Sequence, residues 1–228
     1  SCIRPGRATS MKPVPAPCIA AGLPAKRMRT RAALVDAALE LIADHEPETI
    51  NIDMLVRHAR MARGTFYNYF PSWQDLLVAV AEKMHGDFTT RVESRLGPND
   101  SDTVVLAYIA RWTIQLCIDE PALAWAWVRM GPRLHDLLYE RQDPRSRPKQ
   151  AIRSLCAGRA TDLGAFCLIG GTVFTTARQL LTGKLSIDEA EDVLALVLRG
   201  IGAPPAQIRP ALDRARAFVQ TRVVPAPD

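Results

Sequence analysis

Between Arg63 and Phe70 the chain reads Arg-Gly-Thr-Phe-Tyr-Asn-Tyr-Phe, a run in which hydroxyl, amide and guanidinium groups alternate with large rings. Wound as a helix, Phe66 and Phe70 fall four residues apart and turn inward. Gly64, Thr65 and Asn68 then face outward, with Tyr67 and Tyr69 on the flanks. An outward face of this composition suits a nucleic-acid duplex. Gly64 lets the main chain approach a phosphate, and the hydroxyls of Thr65, Tyr67 and Tyr69 can donate to phosphate oxygens. Arg63 and Asn68 carry groups that can reach base edges. The competing reading is that Tyr67 and Tyr69 pack against the preceding helix and leave their hydroxyls in water.

The charge pattern agrees with either reading. The formal net charge is +5 over 228 residues, which permits a nucleic-acid partner without requiring one. Arg57, Arg60 and Arg63 lie between Met54 and Gln74 with no acidic residue among them, and Lys26, Arg27, Arg29 and Arg31 stand just upstream. A solvated basic face would look the same.

The elements that position this run are helices. Leu34, Val35, Ala38, Leu41, Ile42 and His45 recur at helical spacing up to Pro47. Asn51 then stands as the N-cap of a short helix carrying Ile52, Leu55, Val56 and Ala59, with Asp53 in its first turn. Arg60, Met61 and Ala62 form a turn, Arg63 to Phe70 a second short helix, and Pro71 and Ser72 end it. Two short helices joined by a tight turn make a helix-turn-helix, whose second helix enters the major groove. A longer helix follows, with Leu77, Val80, Ala81, Met84 and Phe88 on one stripe.

The stretch Arg63-Gly64-Thr65-Phe66-Tyr67-Asn68-Tyr69-Phe70, followed by Pro71-Ser72 and Asp75-Leu76-Leu77, resembles the signature of the TetR family of bacterial transcriptional regulators. The resemblance covers about residues 27–77. It implies DNA contacts from the N-cap Asn51, from Arg63 to Tyr69, and from Trp73 at the start of the next helix. Three positions depart from the family pattern. Arg60 stands where Gly is common, Ala62 where a Ser cap is common, and Trp73 where a phosphate-contacting Lys is common. Arg60 could replace the missing lysine charge, and Trp73 could give its indole N–H to a phosphate or simply pack. The DNA-binding set is therefore Arg27, Arg29, Asn51, Arg60, Arg63, Gly64, Thr65, Tyr67, Asn68, Tyr69 and Trp73.

Further along, amphipathic helices are expected up to Pro121, then from Leu123 to a break at Gly131-Pro132, from Ala151 to Gly158, Leu163 to Thr182, Ser186 to Ile201, and from Pro204-Pro205 to Val219. No alternating strand pattern occurs, so the fold class is all-α. The expected organisation is a Pro-rich disordered arm over 1–25, a helix-turn-helix DNA-binding domain over 26–72, and a helical ligand-binding and dimerisation domain over 73–228.

The resemblance implies that this last domain holds a small-molecule effector and the homodimer contact. Tyr108, Trp112, Trp125, Trp127, Met130, Phe166 and Phe174 supply surface of the kind that lines apolar pockets, with ordinary core packing as the alternative. Gly170, Gly171 and Phe174, with Leu194, Val197, Leu198 and Ile201, are the candidate dimer interface, a four-helix bundle across a two-fold axis. Burial inside one chain is the competing explanation. Such a dimer predicts a palindromic DNA operator.

Other classes find less support. His135 beside Asp136, or Cys117, could be imagined in catalysis, but no nucleophile motif, phosphate loop or metal spacing accompanies them, so no enzyme activity, cofactor or metal is expected. The five cysteines form no C-x-x-C pair and read as reduced thiols. No run of about 18 apolar residues suggests a membrane span, and the expected location is the cytoplasm. The remaining alternative is a small-molecule-binding or nonspecific DNA-binding protein that has lost operator specificity.

Overall fold

The computed structural model describes residues 25–220 apart from 142 and 144. The arm expected over 1–25 lies outside the described residues up to position 24, and Ala25 already begins the first helix. Among the described residues the regular elements are ten α-helices and no strand, the all-α class expected.

Helix α1, Ala25–Asp44, buries Leu34, Val35, Ala38, Leu41 and Ile42, a stripe at three- and four-residue spacing. Helix α2, Ile52–His58, starts where Asn51 accepts the Met54 N–H at 2.9 Å, and Asp53 complements the positive end of its dipole. Helix α3, Arg63–Tyr67, is shorter than expected. Asn68 caps it and residues 68 and 69 turn the chain toward Pro71. Helix α4, Trp73–Glu93, begins with Ser72 accepting the Asp75 N–H at 3.2 Å. Its stripe runs from Leu76, Leu77 and Val80 to Met84, Phe88 and Val92. Leu77 therefore belongs to the core around α1, whereas Phe88 meets the later helices.

Helix α5, Asp102–Asp119, is surrounded. It packs against α6 (Pro121–Arg141), α7 (Arg147–Cys156), α8 (Asp162–Leu181), α9 (Ile187–Gly200) and α10 (Pro205–Gln220). Its buried residues accordingly go all the way round, from Val105, Leu106 and Tyr108 to Trp112, Ile114 and Leu116. Buried charge fastens the last two helices to it. Glu191 of α9 and Arg111 of α5 are each 3% exposed and pair at 2.9 Å, while Arg216 of α10 grips both oxygens of the same carboxylate. Burial pulls the Arg111 guanidinium below its ordinary pKa, and the Glu191 charge opposes that pull.

Two expectations need correcting. The helix break at Gly131-Pro132 is absent, and α6 runs on to Arg141. A proline inside a helix costs roughly 3 kcal/mol. Here Trp127, Met130 and Leu134 are all buried along α6, and that packing holds it as one rod. The dimer-face candidates Leu194, Val197, Leu198 and Ile201 lie inside the monomer, none more than 7% exposed, because α9 turns this stripe onto the chain's own core. Gly170 also faces inward. A Cβ there would overlap the His135 ring, so its missing side chain lets α6, not a partner, come close.

Candidate nucleic-acid interface and cavity

Helix α3 has two unlike sides. Phe66 and Phe70 are buried on one, ring centroids 6.0 Å apart. Gly64, Tyr67 and Asn68 are exposed on the other, with Thr65 half-buried. A Cβ placed on Gly64 would meet nothing within 4 Å, so in the free protein the glycine leaves open space that a closely approaching backbone could use. Tyr67 is 49% exposed and leans edge-on against Phe66 at 5.2 Å. Tyr69 is half-buried and packs on the core, the packing reading for that residue.

The basic side chains are partly engaged within the protein. Arg27 lies over the Tyr69 ring at 5.8 Å, and its Nη2 donates to the Asn68 carbonyl at 3.4 Å. Arg31 stacks over Phe70 at 4.9 Å. Arg63 bonds both oxygens of Asp53 at 2.8 and 3.1 Å. The Tyr67 hydroxyl and the Asp53 charge hold the Arg63 pKa above its ordinary value. Arg63 is therefore drawn back onto α2 instead of projecting freely, although an exposed pair of this kind is held weakly. Arg29, Arg57 and Arg60 are exposed.

Trp73 does not offer its indole N–H to a phosphate. The single donor is given to the Pro47 carbonyl at 3.2 Å, and the ring packs against the core. The same α1–α2 loop is held from α6. Arg129 donates to the Ile42 carbonyl at 3.1 Å and to the Ala43 carbonyl, satisfying the C-terminal end of α1, and its Nε reaches Glu46 at 3.3 Å. Arg133 pairs with Glu48 at 2.8 Å, a hydrogen bond that holds the Glu48 carboxyl below its usual pKa. Sequence reading passed over both arginines, because an Arg at i and i+4 on a helix looks like a solvated face.

The other face of α6 borders a cavity of about 80 Å³ between α4, α5, α6, α7 and α8. Of the seven expected pocket residues, Trp127, Phe166 and Phe174 line it. The other four serve packing. Tyr108 is buried and accepts from Arg95 at 3.2 Å, and Met130 is wholly enclosed. Trp112 stands behind the wall, its ring 5.2 Å from Trp127 and 5.1 Å from Phe88. Trp125 lies under the Arg129 guanidinium at 4.7 Å. Phe88, Thr113 and His135 also line the cavity and were not expected there. Gly131 leaves room for Phe174, whose ring would lie 3.4 Å from an added Cβ.

Residues 34–80 match the family model for bacterial regulatory proteins of the tetR family. The match takes in just over half of α1, all of α2 and α3, and the start of α4. Over 60 residues the chain is 32% identical to the fatty acid metabolism regulator protein of Bacillus subtilis (26% of this chain, 31% of that one). Over 72 residues it is 36% identical to the HTH-type transcriptional repressor LfrR of Mycolicibacterium smegmatis (32% of this chain, 36% of that one). It thus spans about a third of the length of these relatives. In three dimensions it resembles RolR in complex with resorcinol, with TM-score 0.58 and 25% identity over 89% of this chain and 97% of RolR. A TetR-family regulator from Haemophilus influenzae shares the fold, with TM-score 0.59 and 16% identity over 78% and 98% of the two chains.

Within the matched region, two of the sequence departures have local consequences. Arg60 sits at φ 54°, the left-handed conformation, where a glycine would rest without strain. Ala62 is the N-cap of α3 and supplies no side-chain acceptor. Arg60→Gly is expected to relieve about 1 kcal/mol of strain, and Ala62→Ser to add about 1 kcal/mol by capping. Each should raise Tm by roughly 2–4 °C in thermal unfolding. A fall in Tm for both would mean that the turn is not strained as described.

Proposed function

We propose that this protein is a ligand-responsive transcriptional regulator, a homodimeric repressor that binds a palindromic operator and releases it when a small, largely apolar molecule enters the cavity. The observation that carries the reading is the two-sidedness of the α3 segment, where Phe66 and Phe70 are buried while Gly64, Tyr67 and Asn68 stand exposed beside Arg57 and Arg60. The resorcinol complex of RolR and the repressor name of LfrR lend support.

A second copy of the chain would sit on α8 and α9. Leu163, Leu168, Ile187 and Leu196 are 44–63% exposed, and Gly171 is exposed on the same helix as Leu168. Exposed apolar side chains concentrated on two neighbouring helices mark an interaction face. This strip replaces the inward-facing one expected from the sequence.

Coupling would run through α4 and α6, since each touches the cavity and packs on the head formed by α1, α2 and α3. Phe88 is in the cavity wall while Leu76 and Leu77 pack toward α1, and α6 carries Trp127 and His135 on one side with Arg129 and Arg133 on the other. A ligand that favours one placement of α6 would shift the head by that differential affinity.

Binding of the full chain to DNA flanking its own gene, against random DNA, tests the reading. Asn68→Ala with Tyr67→Ala should abolish the sequence preference while leaving weak, salt-sensitive binding. Uniform binding by the unaltered chain would instead favour a protein without operator specificity. Leu168→Glu with Leu196→Glu should sediment as a monomer and lose operator affinity at least tenfold. A dimer that persists would place the interface elsewhere. Arg129→Met with Arg133→Met, which removes both the carbonyl and the carboxylate contacts to α1 and the loop after it, should keep operator affinity but blunt ligand-driven release severalfold, and full release would remove these α6 contacts from the route.

A further inference from the structure

We propose that Asp53 is a positioning residue for DNA reading, holding Arg63 so that one edge of its guanidinium meets a guanine in each half of the operator. The proposal rests on the regulator described above and concerns how that regulator chooses its sequence.

Placement comes first. Arg63 is the first residue of α3, and the N-terminal residues of a recognition helix are those that meet base edges in the major groove. Its side chain is 58% exposed, as is that of Asp53, so a duplex can reach both. Asp53 stands in the first turn of α2. Its ordinary partner on that helix would be Arg57, four positions on. Arg57 instead gives its Nε to the Asp53 main-chain carbonyl at 3.1 Å, and the carboxylate reaches across to α3.

Geometry then names what is read. Both contacts to the carboxylate, at 2.8 and 3.1 Å, come from Nη1 of Arg63. Nε and Nη2 take no part in that pair. Two parallel N–H groups on one edge of a guanidinium match the O6 and N7 acceptors of guanine. The Tyr67 hydroxyl borders the same guanidinium, and the Tyr67 ring is steadied edge-on against the buried Phe66. Arg63 is thus braced from two sides before DNA arrives, which lessens the entropy lost when a long side chain is fixed on a base.

Stability does not account for the pair, because an exposed ion pair adds little to folding. Raw affinity does not account for it either. A carboxylate on a surface that meets phosphates opposes binding to every sequence alike. What Asp53 supplies is the orientation of Arg63, and with it discrimination between bases.

The test selects bound duplexes from a randomised library with the full chain, with Asp53→Asn and with Arg63→Ala. Affinities are then measured for the selected site, for the same site with its guanines replaced one at a time, and for random DNA. The unaltered chain should select half-sites carrying one guanine that both variants cease to prefer, with the other positions kept. Discrimination at that base pair should fall about tenfold in each variant. The variants should part on random DNA, where Asp53→Asn binds more tightly and Arg63→Ala more weakly. Tm should change by less than about 4 °C in both. A guanine preference that survives intact in Asp53→Asn would overturn the proposal. So would an Arg63→Ala variant that weakens on every sequence equally, the mark of a phosphate contact. Either result, with a motif still selected, would leave the regulator reading standing. Selection of no motif by the unaltered chain would overturn both.

Discussion

Helix α6 is clamped along both sides, and the relation between the two halves of the molecule depends on that clamp. Toward α8, the absent side chains of Gly131 and Gly170 are filled by Phe174 and His135, one ring from each helix lying over the other helix's glycine. Toward α1, Arg129 and Arg133 hold the helix end and the loop that follows it. A close-packed interlock of this kind does not deform gradually, because the rings either fit over the glycines or must leave them. Two spaced contacts on each side also explain why α6 passes through positions 131 and 132 without breaking.

The head was legible in the sequence because its signals are local. Asn51 caps α2, Phe66 and Phe70 turn inward, and Ser72 starts α4, each decided by residues within one helical turn. The residues that hold the head in place were not legible. Trp73 finds the Pro47 carbonyl 26 positions away and Arg129 finds Ala43 86 positions away, so no spacing rule could foresee either.

The second half yielded its helices but not the walls of its cavity, for a physical reason. A helix surrounded on all sides, as α5 is, carries apolar residues around its whole circumference, and periodicity then says nothing about which of them face a void. Tyr108 and Trp112 are as aromatic as Trp127, yet they pack against neighbours while Trp127 borders open space. The α9 stripe misled in the same way, since an apolar stripe marks burial without saying by which chain. The apolar residues left exposed after folding, Leu168 and Leu196 among them, are the ones that a partner could cover.

These placements bear on how firmly the recognition helix is held. Locally α3 is weak, being five residues long, without a side-chain cap, and preceded by a residue in the left-handed conformation. Helices this short have no independent stability. Its orientation is therefore set from outside, by Phe66 and Phe70 in the shared core and by Arg27 and Arg31 of α1 lying over Tyr69 and Phe70. Whatever moves α1 must carry α3 with it. Arg129 grips the opposite end of that same helix, so α6 and α3 are joined by one rod of 20 residues that bypasses the turn before α3.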